Sequence, residues 1–103
     1  MARFCPIFSS SSGNCVYIGN PGGGILIDAG VSAKRITTAL DELNIDVSSI
    51  AAIFVTHEHS DHISGLRVFA GKYGIDVYAS TGTFDALGAL GVLNEKFNAV
   101  PLP

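Results

Sequence analysis

Ile50-Ala51-Ala52-Ile53-Phe54-Val55-Thr56-His57-Glu58-His59-Ser60-Asp61-His62 is the stretch whose reading decides the fold. Its first half is apolar without alternation, which fits a strand in the interior of a sheet, covered on both faces. Its second half gathers all 3 histidines of the chain into six consecutive residues. Directly after a buried strand, these side chains stand where α/β sheets project residues into a ligand crevice. Imidazole and carboxylate are preferred ligands of zinc and related divalent ions. His57 and His59, two apart in extended or tight-loop backbone, point to the same side and can grip one ion. Asp61 and His62, where the loop turns into a helix, offer a second pair displaced from the first. The spacing suits two adjacent divalent ions. Alternation turns Glu58 and Ser60 away from them. A solvated loop with surface histidines is the plainer alternative.

Two adjacent ions can acidify a water and clamp both oxygens of a displacement, and a carboxylate beside that water can take its proton. Asp61 is the candidate for this catalytic role. Upstream, Asp28 closes the apolar run Ile25-Leu26-Ile27 and precedes Ala29-Gly30. A carboxylate at such a strand end serves either as a turn residue or as a hydrogen-bond acceptor for a metal-ligating side chain. The run of serines over 9–12 matches neither a phosphate-binding loop nor a nucleophile elbow, so a serine nucleophile is not expected.

Working outward, residues 4–8, 14–18 and 25–29 read as strands that open the chain as an antiparallel set. The small-polar segment 9–13 reverses the first of them, with Gly13-Asn14 able to take positive φ, and the segment 20–24 joins the other two. Ser32 caps a helix whose apolar face is Ile36, Leu40 and Leu43, with Asn44 as a left-handed terminator. Ile63, Leu66, Val68, Phe69 and Tyr73 suit a second helix ended by Gly74, residues 75–79 a further strand, and Thr81 caps a third helix running to about Leu90. The order β-β-β-α-β-α-β-α indicates a mixed sheet with helices on at least one face. Three helices can cover only one face, which leaves the other to be paired in a homodimer or larger assembly.

With 103 residues, the chain has room for one core. Its nine acidic and six basic residues give a net charge of −3, which rules out a generic basic nucleic-acid binder. Apolar residues make up 48% and charged residues only 15%, and the mean hydropathy is +0.41; disorder is excluded, and the chain is sparsely charged for a surface in water. The longest apolar run falls far short of the roughly 20 residues of a membrane helix. The start of the chain does not read as a signal peptide, so a cytoplasmic protein is expected. Cys5 and Cys15 form no metal or redox spacing and are read as reduced thiols packed as small hydrophobes.

Thr56-His57-Glu58-His59-Ser60-Asp61-His62, followed by Ile63-Ser64-Gly65, resembles the His-x-His-x-Asp-His signature of the metallo-β-lactamase superfamily, and Ile27-Asp28-Ala29-Gly30 resembles its upstream aspartate motif. Arg3-Phe4-Cys5 through Ser11-Ser12-Gly13-Asn14-Cys15 is similar to a bacterial branch related to exonucleases and phosphodiesterases. The resemblance implies that His57 and His59 ligate one metal, Asp61 and His62 the other, and that Asp28 supports the loop. It implies two divalent ions (zinc, with manganese or iron as alternatives) and hydrolysis, of a phosphodiester in a small molecule or nucleic acid. β-Lactams and thioesters are substrates elsewhere in the superfamily. The resemblance covers only the superfamily's N-terminal half, so residues 1–103 are expected to form one partial domain. This domain is half of a four-layer αββα sandwich, with a mixed sheet and helices on one face. No histidine follows His62, so the later ligands have no counterpart. The chain alone is therefore expected to be weak or inactive, and a metal-binding module that assembles with a second chain is the competing reading.

Overall fold

The computed structural model describes residues 3–10, 13–20 and 22–103. Strands β1 (Arg3–Ser10), β2 (Gly13–Asn20) and β3 (Gly23–Ile27) are followed by helix α1 (Ala33–Glu42), a 3-10 turn at Val47–Ser49 and strand β4 (Ile50–Val55). Helices α2 (Ser60–Ile63) and α3 (Leu66–Tyr73), strand β5 (Asp76–Ser80), helix α4 (Thr81–Ala89) and strand β6 (Ala99–Leu102) complete the chain. The strands lie side by side in sequence order. Both pairings among β1, β2 and β3 are antiparallel, and those from β3 through β6 are parallel. The expected mixed sheet is therefore present, with the Ile50–Val55 strand inside it.

Local chemistry accounts for most boundaries. The Ser32 hydroxyl accepts from the Arg35 N–H at the start of α1, and Asn44 takes φ 58° just beyond its end. Gly74 ends α3 in the left-handed region at φ 63°. Three expectations are corrected. The single helix expected around residues 63–73 is two, broken at Ser64-Gly65, because Gly65 packs onto the Val31 backbone where a Cβ would overlap the carbonyl oxygen. The cap of α4 is Ser80, whose hydroxyl accepts from the Thr83 N–H, and Thr81 is already helical. Gly13 and Asn14, expected in the reversing loop, instead begin β2; Gly13 lies opposite Ser10, and its lack of a side chain admits Val31 and the Gly30 carbonyl. Residues 11 and 12, between the two strands, lie outside the described residues. Strand β6 was not anticipated: four residues containing Pro101 make a poor strand signal, tolerated because β6 has a free edge.

Ile36 and Leu40 of α1, Leu66 and Phe69 of α3 and Leu87 of α4 join Tyr17, Leu26, Ile53 and Val77 in one core cluster. The helices therefore cover one face of the sheet. Register builds two cross-strand rows on the other face: Phe4, Ile18, Ile25 and Ala52 in one, and Pro6, Val16, Ile27, Phe54, Tyr78 and Val100 in the second. Apart from Ala52, these side chains are half-buried or exposed, with Phe4 68% exposed. The rings of Phe54 and Tyr78 stack at 5.1 Å. The uninterrupted apolar run of β4 thus has two causes: one side enters the core, and the other joins this open apolar face.

Candidate metal centre

The site forms where β3 and β4 end side by side. Asp28 follows β3 with φ 65°, a conformation that a short polar side chain tolerates and that concentrates at functional sites. Neighbours fix it there. Its N–H donates to the Phe54 carbonyl at 2.8 Å. Its Oδ1 accepts from the Thr56 N–H at 2.7 Å, and its Oδ2 from the Thr56 hydroxyl at 2.6 Å. Oδ2 also lies 2.6 Å from His62 Nδ1. The carboxylate belongs to a residue only 4% exposed, so these contacts stand in for its lost water. Asp28 therefore holds the His62 ring as well as Thr56.

His62 is thereby tethered through Nδ1, and its Nε2 faces Asp61 Oδ2 at 3.5 Å. Metal-ligating histidines are usually oriented in this way, by a carboxylate on the other ring nitrogen. The His57 ring lies 4.8 Å from that of His62 and 6.0 Å from that of His59, nearly parallel to the latter. Thr56 Oγ1 also lies 3.0 Å from His57 Nδ1. The structure therefore brings His57 beside both His59 and His62, and His62 beside Asp61, in the loop that follows β4. Glu58 and Ser60 face elsewhere: with Ile63, Ser64, Arg67 and Leu90 they line a separate groove of about 460 Å³ to which no histidine contributes.

The donors fit divalent ions in type. The His62–Asp61 pair also fits in spacing, since two ligands at 2.0–2.2 Å on a tetrahedral ion stand roughly 3.4 Å apart. Among the described residues no group of three or more His, Cys, Asp or Glu side chains is arranged to hold one ion. Cys15 is no ligand: it is fully buried in the core, and burial above all, with the Asp28 charge second, pushes its thiol pKa up to about 12. Both Cys5 and Cys15 are free thiols.

A family model described as the metallo-beta-lactamase superfamily matches residues 10–100. The chain belongs to that superfamily. Among curated relatives, exodeoxyribonuclease WalJ of Streptococcus pneumoniae is 45% identical over 85 residues, which is 82% of this chain and 32% of the relative. Exodeoxyribonuclease YycJ of Bacillus anthracis is 40% identical over the same length, with the same shares. A solved metallo-β-lactamase from Cronobacter sakazakii superposes with a TM-score of 0.72 at 26% identity, covering 99% of this chain and 41% of that one. The chain spans about a third of the length of the curated relatives it matches.

Two residues that brace this loop escaped the sequence reading. Thr56 binds Asp28 through both N–H and hydroxyl, and Asn14 Nδ2 donates to the Asp61 carbonyl at 3.1 Å and to Asp61 Oδ2 at 3.2 Å. A weak signal for Asn14 existed: strand alternation puts it in line with Val16 and Ile18, although Asn20 shares that side.

Proposed function

We propose that this chain carries the metal loop of a phosphodiester hydrolase of nuclease type, with DNA as the substrate class. The observation that carries the reading is the tethered pair: Asp28 holds His62 by one ring nitrogen while the other faces Asp61. The names of the curated relatives, exodeoxyribonucleases, support the substrate class. On this reading His57 and His59 hold one ion, and Asp61 and His62 the other. Zinc is favoured, because three imidazoles dominate the donor set; manganese and iron are the alternatives. Bound ions supply positive charge that polarises the phosphodiester and acidifies the attacking water. Asp61 is placed to accept that water's proton, Asp28 and Thr56 keep the His62 ring oriented, and Glu58 stays out of the chemistry.

Residues 1–103 then form the N-terminal half of an αββα domain, whose open sheet face is covered by the second half or by a second copy. That open face also favours the alternative reading, a metal-binding module that becomes catalytic only after assembly. Among the described residues no helix is long and apolar enough to cross a membrane. We place the protein in the cytoplasm, where two free thiols and a DNA substrate are at home.

Metal analysis of protein purified without chelator, beside a His57→Ala/His59→Ala double variant, tests the reading. Bound divalent metal that falls in the variant is expected, and equal occupancy in both would overturn it. Affinity should be modest, since two protein ligands per ion fall short of the usual three or four. The same preparation should hydrolyse bis(p-nitrophenyl) phosphate weakly or not at all. Preferential turnover of a thioester or a β-lactam would move the substrate class.

A further inference from the structure

We propose that Asn14 is a positioning residue for the metal centre, holding the Asp61 carboxylate in the orientation that faces His62. The inference rests on the reading of Asp61 as a ligand and adds a residue 47 positions away in sequence.

Three backbone segments meet at this point without side chains between them. The Gly30 N–H donates to the Asn14 carbonyl at 2.9 Å, and a Cβ on Gly30 would overlap both the Asp61 carbonyl oxygen and the Asn14 nitrogen. This contact fixes the Asn14 backbone against the loop. The two hydrogens of Nδ2 can then serve two acceptors on one residue, the Asp61 carbonyl and Oδ2. Binding the main chain and the carboxylate together restricts the side-chain torsions of Asp61. That restriction has work to do, because the Asp61 side chain is 30% exposed and would otherwise sample water-facing rotamers.

The oxygen that Asn14 holds, Oδ2, is the one 3.5 Å from His62 Nε2. Each member of the pair is therefore held from outside, His62 by Asp28 and Asp61 by Asn14. Removing a residue that orients a ligand typically costs about 10- to 100-fold in metal affinity.

Metal affinity is measured by chelator competition on the wild type, Asn14→Ala, Asp61→Ala and the double variant, with thermal melting of each metal-free protein as the fold control. The expected result is a 10- to 100-fold weaker second ion in Asn14→Ala and an unchanged first ion. In the Asp61→Ala background, Asn14→Ala should bring no further loss, because an effect exerted through Asp61 disappears with it. A purely structural role would weaken both ions and add to the Asp61→Ala loss, and that outcome overturns the proposal. If Asn14→Ala does not melt cooperatively, Asn14→Ser, too short to reach Oδ2, carries the same expectation. A wild type that takes up no ion overturns the function proposed above and this inference with it. A wild type that takes up two ions beside an Asn14→Ala variant that matches it overturns this inference alone.

Discussion

Replacing Asp28 by Asn separates the structural work of its carboxylate from its effect on His62. Oδ1 accepts from the Thr56 N–H, while Oδ2 faces the Thr56 hydroxyl and His62 Nδ1. In Asp28→Asn the backbone N–H of Thr56 demands an oxygen at the first position, since an amide there would set donor against donor. The NH2 group must then face His62, whose Nδ1 becomes an acceptor and whose proton moves to Nε2. That proton occupies the lone pair that points at Asp61. Asn tolerates the positive φ of this position as Asp does. The loss of stability should therefore be about 1 kcal/mol, the difference between charged and neutral hydrogen bonds, or roughly 4–8 °C in Tm for a domain of this size. Metal affinity should fall by about 10- to 100-fold, equivalent to roughly 1.4–2.7 kcal/mol. Asp28→Ala differs in kind: it strands three polar partners and adds left-handed strain, at a total cost of about 3–6 kcal/mol, enough to threaten folding. Chelator competition and thermal unfolding of the two variants beside wild type measure both quantities. An Asp28→Asn protein that folds and binds metal within twofold of wild type would refute the argument from the histidine's orientation.

Two further outcomes follow from the packing. The Cys15 thiol, raised from 9.0 to about 12, binds its proton more tightly when folded, so its contribution is intact below pH 9 and lost between pH 9 and 12. Three pH units correspond to roughly 4 kcal/mol; urea melts across that window should show stability falling with pH, and Cys15→Ala should flatten the slope. The open sheet face should drive self-association, because each 100 Å² of apolar surface covered contributes about 2.5 kcal/mol before association costs. Sedimentation at micromolar concentration should show dimers or larger species, dispersed by Ile18→Glu, and a monodisperse wild-type monomer that binds no hydrophobic dye would contradict this.

The sequence disclosed what depends on near neighbours. The opening strands, the Ser32 cap, the Gly74 terminator and the grouping of His57, His59, Asp61 and His62 follow from spacings of a few residues, where pattern and geometry are tightly linked. What it hid depends on approach between distant segments. Gly65 splits a helix because Val31 lies against it, and periodicity over residues 63–73 carries no trace of that contact. Asn14 looked like a turn residue because Gly-Asn is a turn dipeptide, and its second partner lies across the fold. Strand β6 exists because β5 offers an edge to pair with, not because Ala99–Leu102 favours extension strongly.

The open face and the metal loop adjoin one another. Asn14 belongs to the same face as Val16 and Ile18, and the row containing Ile27 and Phe54 runs out at Asp28 and Thr56, the residues that anchor His62. Whatever covers this apolar face therefore borders on the loop that carries the four proposed ligands. On the proposed reading each ion has only two ligands from this chain, so a covering segment that supplies even one more donor would bind more tightly to the metal-loaded form. By linkage, metal would then favour assembly as strongly as assembly favours metal. On that reading, covering the sheet face and completing the ligand sets are one event.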